Sequence, residues 1–147
     1  MTGLRLEELL ERVRSHGGRV THARRALLQA LLDSDGHHLT AQDLAEAVQR
    51  ATPEVHLSTI YRALESLEEM GIVDHAHLGH GRAVYHLADA PHQHLVCEVC
   101  EAVVEVPDDV FAELSGTLRK VYGFVLRPHH FAVVGRCKVC AEELSEP

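Results

Sequence analysis

The sequence contains no tryptophan, and aromatic residues make up 4% of its 147 positions. That scarcity argues against a sugar-binding surface or one on which nucleic-acid bases stack. No apolar run approaches the ~20 residues that a bilayer-spanning helix needs. The opening stretch, MTGLRLEELLERVRSHGG, threads acids and bases between its leucines and lacks the apolar core of a secretion signal. The expectation is a soluble, cytoplasmic protein without a membrane partner. Positive charge is also in short supply. Fourteen lysines and arginines face 22 acids, giving a formal charge of −8, which excludes an indiscriminate nucleic-acid coat. The two halves share the deficit, with nine basic against thirteen acidic side chains up to residue 90 and five against nine beyond it. Any contact with DNA must come from a local patch. What the chain does have is ordinary globular composition, 46% hydrophobic and 24% charged, and 13 histidines.

Periodicity divides the chain in two. Leu4, Leu6, Leu9, Leu10 and Val13 predict an amphipathic helix ended by Gly17-Gly18. A second helix follows Val20-Thr21 and carries Ala26, Leu27, Leu28, Ala30, Leu31 and Leu32. Thr40 and Asp43 form a capping-box pattern ahead of Leu44, Ala47 and Val48, and Pro53 forbids continuation. A fourth helix starts at Leu57-Ser58-Thr59, buries Ile60, Leu64 and Leu67, and ends at Gly71. The period then changes to two on either side of Gly79-His80-Gly81, a hairpin signal. Helices followed by a β-ribbon describe a winged helix-turn-helix, here spanning 1–88. Residues 89–147 predict a small α+β unit: a strand over Ala102–Val106, a helix opened by Pro107-Asp108-Asp109 and broken at Gly123, and a strand over Phe131–Val134. A unit of that size is marginal alone and needs a metal or a partner chain.

All four cysteines lie in two C-x-x-C pairs, Cys97/Cys100 and Cys137/Cys140. Two such knuckles supply the four thiolates of a tetrahedral structural zinc site. A redox pair and plain core cysteines are the alternatives. Disulfides are disfavoured in a chain without a secretion signal. Eight of the histidines lie at or after residue 75. His75 and His77 share one face of a strand by their spacing, as do His92 and His94 just ahead of the first knuckle. Such same-face pairs near the junction of two halves suit zinc, nickel, copper or iron. His16, His22 and His56 read as ordinary surface or hydrogen-bonded histidines.

Together, Gly18-Arg19-Val20-Thr21 with Arg24, His37-His38-Leu39-Thr40-Ala41-Gln42-Asp43-Leu44, Ser58-Thr59-Ile60-Tyr61-Arg62-Ala63-Leu64, His92-Gln93-His94-Leu95-Val96-Cys97 and Gly135-Arg136-Cys137 resemble the ferric uptake regulator (Fur) family of metal-responsive repressors. The ribbon sequence His75-Ala76-His77-Leu78-Gly79-His80-Gly81, with His130 before Phe131, most resembles the nickel-responsive (Nur-like) branch. The resemblance implies a winged-helix DNA-binding domain and a metal-binding dimerisation domain, acting as a homodimer on a palindromic A·T-rich operator of double-stranded DNA. It implies that Ser58, Thr59, Tyr61 and Arg62 belong to the recognition helix and that Arg19 reaches a neighbouring minor groove. Independently, five arginines and no acid lie between Arg12 and Arg25.

The resemblance implies two regulatory metal sites. His38, His86, His92 and His94 would form one at the hinge between domains. His75, His77 and His130 would form a nickel-type site on the ribbon, with His129 as an alternative to His130. Gln93 and Ala112 stand where many members carry metal-binding carboxylates, so a shift toward nitrogen ligands is expected. That favours Ni(2+) or Zn(2+) as the regulatory ion over Fe(2+), beside the structural Zn(2+). Zinc sensing and iron-based peroxide sensing are the rival readings within the family. From other classes come a zinc-dependent hydrolase with an open histidine site, which lacks any H-E-x-x-H motif, and a metal-storage protein.

Overall fold

A computed structural model of the chain describes residues 2–34, 39–78, 82–88, 92–127 and 132–144. The backbone divides into two compact units, one comprising Met1–His75 and Ala83–Asp89, the other Ala76–Arg82 and Ala90–Pro147.

The first unit is built from four helices, α1 (Thr2–Ser15), α2 (His22–Asp33), α3 (Ala41–Ala51) and α4 (Leu57–Glu69). Local chemistry sets each boundary. Gly17 adopts φ +77 just beyond α1, a left-handed conformation that glycine takes without Cβ strain. The Thr21 hydroxyl caps α2 by accepting the Arg24 backbone N–H at 3.2 Å. At α3 the expected capping box is complete. Thr40 accepts from the Asp43 N–H at 3.1 Å, and the Asp43 carboxylate accepts from the Thr40 N–H at 2.9 Å. Gly71, at φ +69, closes α4 in a Schellman arrangement, with Gly71 N–H donating to Glu68 O and Ile72 N–H to Leu67 O.

Beyond α4, β1 (Val73–Leu78) and β2 (Arg82–Leu87) form a two-stranded sheet. Leu39 adds a short antiparallel bridge to β2, its carbonyl accepting the Tyr85 N–H at 2.8 Å. The predicted turn at Gly79–Gly81 lies outside the described residues. The core joins Leu9, Leu10 and Val13 of α1 to Leu27 and Leu28 of α2, Leu44 and Val48 of α3, and Ile60 and Leu67 of α4. Each such side chain contributes about 1.5–3 kcal/mol on full burial. Leu4, expected on the buried stripe, is 76% exposed, because 3.6 residues per turn set it on the side of α1 opposite Leu6, Leu9, Leu10 and Val13.

The second unit has a different interior. Its sheet runs β4–β3–β5, with β3 (His92–Cys97) antiparallel to β4 (Val103–Pro107) and parallel to β5 (Ala132–Gly135). A 3-10 turn at Asp108–Phe111 leads into α5 (Ala112–Tyr122), which carries the chain back for the parallel pairing, and Gly123 (φ +62) ends it. A short helix α6 (Lys138–Glu143) follows. Among the described residues from 92 to 144, the buried side chains are Gln93, His94, Cys97 and Cys140. None is aliphatic. Leu95, Val96, Val103, Val106, Phe111 and Leu118 are partly buried, whereas Leu114 and Val121 of α5 and Val133 and Val134 of β5 are exposed in the single chain. The sequence-based expectation of an α+β architecture, a winged-helix unit followed by a small sheet-containing one, agrees with this fold.

Candidate metal centres and DNA-facing residues

Both knuckles are shaped by the backbone before any ion is considered. Cys97 ends β3, opposite Gly135 of β5. The turn that follows is closed by Glu101 N–H donating to Cys97 O at 3.0 Å, with Glu101 at φ +61, and by Cys97 N–H donating to Ala102 O at 2.9 Å. Cys137 stands at the N-terminus of α6 and Cys140 within it. The knuckles are joined by Glu98 N–H donating to Gly135 O at 2.8 Å and by an Arg136–Glu98 ion pair at 2.8 Å.

The four sulfurs converge, all within 4.8 Å of one another. Cys100 Sγ lies 3.7 Å from Cys137 Sγ, far beyond a disulfide bond. Four thiolates around a tetrahedral ion at ~2.3 Å would have edges of about 3.8 Å, so the donor set fits zinc. Charge points the same way. Backbone N–H groups of Cys100, Cys137 and Val99 aimed at the Cys97 sulfur lower its thiol to about 6. The Cys140 thiol is pushed up to about 12 by its hydrogen bond with Cys137, with burial and the sulfurs of Cys100 and Cys97 adding to the effect. Sulfurs this close cannot all ionise unless a cation joins them.

A second convergence lies on the β3–β4 pair. His92 and His94 point to one face of β3, with Nε2 atoms 3.1 Å apart and rings edge to face. The antiparallel register sets Glu105 directly opposite His94. Its carboxylate lies 3.7 Å from His92 Nε2, and the three donors fall within 4.8 Å of one another. His94 is 2% exposed, while His92 and Glu105 face partly outward. Two imidazole nitrogens and a carboxylate oxygen suit a late divalent metal and leave coordination positions for further ligands.

Glu105 is not among the ligands that the sequence pointed to, and it sets a carboxylate oxygen beside the His92 and His94 imidazoles. The signal was present. The Cys97–Ala102 turn fixes the hairpin register, and counting back along both arms pairs His94 with Glu105. Gln93, on the opposite face of β3 and 1% exposed, donates its amide N–H to the Asp108 carboxylate at 2.7 Å. It therefore ties β3 to the start of the α5 segment.

The remaining sequence-derived ligands are distributed as follows. His86 is half-buried on β2 of the first unit; His38 lies outside the described residues. On β1, His75 Nδ1 contacts the Glu68 carboxylate of α4 at 2.7 Å, its ring 5.6 Å from that of Tyr85. His77 is exposed on the same strand; His129 and His130 lie outside the described residues. The expected nucleic-acid contacts are all on the surface. Arg19 is exposed on the α1–α2 loop, and Ser58, Thr59 and Arg62 are exposed on α4, with Tyr61 40% exposed beside them. The arginine patch is weaker than its composition suggests, since Arg14 pairs with Glu11 at 3.0 Å and Arg25 with Glu7 at 3.2 Å. No helix among the described residues is long and apolar enough to cross a membrane.

A helical unit whose fourth helix keeps one face exposed, followed by a unit that buries a histidine and two cysteines beside further metal-ligand types, is the architecture of a metal-dependent regulator. The chain belongs to the ferric uptake regulator family, whose model matches residues 15–134. It is 31% identical over 140 residues to the ferric uptake regulation protein of Bacillus subtilis, a match covering 92% of this chain and 94% of that protein. Among solved structures, it is similar to the ferric uptake regulator of Pseudomonas aeruginosa determined with manganese (32% identity, 86% and 95% of the two chains covered, TM-score 0.66). It also matches a zinc uptake regulator complexed with zinc and DNA (28% identity, 99% and 98% covered, TM-score 0.67). The family is one of regulators, so the hydrolase alternative falls away. These three relatives are described with iron, manganese and zinc, not with nickel.

Proposed function

We propose that the protein is a homodimeric, metal-responsive repressor that binds a palindromic A·T-rich operator through α4 and Arg19. Residues 1–88 would form the DNA-binding domain and 89–147 the dimerisation domain. The convergence of His92, His94 and Glu105 carries the reading, because a regulator needs a site that is complete only when an ion is present. His38 and His86 are its proposed further ligands, and drawing ligands from both domains makes occupancy a hinge constraint. With metal bound, the two recognition helices of the dimer hold one spacing; without it they sample many, and operator affinity falls with the competent fraction.

Homodimerisation is supported by the exposed apolar residues on α5 and β5, which a second copy would cover by two-fold symmetry. Cys97, Cys100, Cys137 and Cys140 would hold structural zinc. We assign the sensed ion to nickel, held on the ribbon by His75, His77 and His130, and metal-uptake genes to its control. A second reading is favoured by Glu105, since a carboxylate among the β3–β4 donors accommodates zinc or ferrous iron as readily. Gel-shift titration against a palindromic A·T-rich duplex with nickel, zinc, iron(II) or chelator tests both readings. A shift strengthened by nickel alone supports the first, and one strengthened by zinc or iron supports the second. No metal-enhanced shift overturns the repressor reading.

A further inference from the structure

The α1–α2 loop that carries Arg19 opens on Gly17-Gly18, whose N–H groups close α1 by donating to the Arg14 and Val13 carbonyls, each at 2.9 Å, with Gly17 at φ +77. Two contacts fasten it to α4. Gly18 packs so closely that a Cβ there would fall 2.6 Å from Met70 Cε, at the end of α4, and 3.0 Å from the Val13 carbonyl. Arg24, in the first turn of α2, spans the remaining gap. Its Nη1 donates to the backbone carbonyl of Arg19 at 2.6 Å, and its Nη2 donates to Ser66 Oγ of α4 at 2.7 Å. A planar guanidinium can hold two acceptors in a fixed fork, which an ammonium on a flexible stem cannot.

Both acceptors are uncharged oxygens. Unlike Arg14 and Arg25, which face glutamates, Arg24 thus keeps its positive charge beside the α4 surface while setting the backbone of Arg19. We propose that Arg24 is a positioning residue of the reading surface: its bridge between the Arg19 carbonyl and Ser66 fixes the spacing between the loop arginine and α4. The inference rests on the proposed DNA contacts of Arg19 and α4. It adds that the loop and the helix act as one rigid reader, so that groove spacing is checked together with sequence.

The experiment uses the full chain, metal-loaded, with a fluorescently labelled palindromic A·T-rich duplex and a shuffled duplex of equal composition. Arg24→Lys keeps the charge and removes the fork. It is expected to weaken binding to the palindrome about tenfold, the scale of one lost charge-assisted hydrogen bond. The salt dependence should stay unchanged, whereas Arg19→Ala lowers the salt slope by about one. Because Arg24 acts through Arg19, the double variant should bind no worse than Arg19→Ala alone. Additive losses, or full affinity in Arg24→Lys, overturn the proposal. Ser66→Ala, which deletes one acceptor and leaves every arginine in place, should reproduce the lost preference for the palindrome. Amide hydrogen exchange over residues 17–21 of the free protein should accelerate in both variants, and unchanged exchange also overturns the bridge. A wild-type chain that does not prefer the palindrome refutes the DNA reading itself, while the exchange measurement still reports on the bridge.

Discussion

Withdrawing the metal from the cysteine cluster should unfold the second unit and leave the first standing. The magnitude follows from what each unit buries. The first encloses a leucine-rich core contributed by all four helices. In the second, Gln93, His94, Cys97 and Cys140 are the fully buried residues among those described from 92 onward, and aliphatic side chains such as Leu95, Val96 and Leu118 are only partly covered, so little apolar burial remains once the sulfurs lose their ion. Structural zinc supplies ~10–16 kcal/mol of apparent folding free energy in zinc-finger peptides. That matches or exceeds the ~5–15 kcal/mol by which a whole domain is ordinarily stable. Removal of the ion therefore takes away the main stabilising term of this unit.

Cys97→Ser is the sharpest perturbation, because the sulfur it removes accepts the Cys137 N–H at 3.4 Å and ends the central strand. Loss of one ligand in four should weaken zinc retention about a hundredfold, in line with a proportional share of the binding free energy. Urea unfolding followed by far-ultraviolet circular dichroism, with zinc measured by elemental analysis, should show one transition shifted to low denaturant. A second transition, from the helical unit, should stay close to that of the wild type. A Cys97→Ser chain that keeps stoichiometric zinc and a single unshifted transition would refute the reasoning.

Glu105→Gln should lower the affinity of the β3–β4 centre for its ion about 10–100-fold, the range typical when a ligand's support is lost, with zinc at the cysteines unaffected; isothermal titration calorimetry reads the difference. His77→Ala should abolish a nickel response in gel-shift assays while dimer and structural zinc persist, and an intact response would remove the ribbon assignment. Replacing Leu114, exposed on α5, with glutamate should shift the protein toward monomer in sedimentation experiments, because a charge would enter the proposed dimer surface. Thr40→Ala should destabilise the first unit by about 1 kcal/mol through loss of the α3 cap, measurable as a lower urea midpoint.

Local rules made the first unit legible. Thr40 with Asp43, Gly71 after α4 and the change of period at Ile72 each report a boundary through nearest-neighbour chemistry, and the helices begin and end close to where those residues stand. The cysteine pairs were equally plain, since a closed structural zinc site takes four donors and two C-x-x-C pairs supply them. The second unit was harder because its order depends on pairing between distant segments. The β3 strand carries ligands rather than an alternating apolar pattern, so the spacing of His92 and His94 pointed to a strand while nothing announced that it is the central one. Glu105 became visible only once β3 and β4 were set in register. Conversely, the run of arginines between Arg12 and Arg25 overstated the basic surface, because Glu11 lies one turn before Arg14 on α1 and Glu7 of α1 meets Arg25 across on α2, pairings that a linear count does not see.

The hairpin linking the two metal centres has a consequence for how they hold together. Cys97 terminates the strand on which His92 and His94 ride, and its knuckle makes the turn that brings Glu105 across from His94. The imidazole pocket therefore shares its backbone with the cysteine knuckle. Were both centres to load as proposed, an ion at the cysteines would brace the hairpin on which the other three donors stand, and its loss would loosen them together.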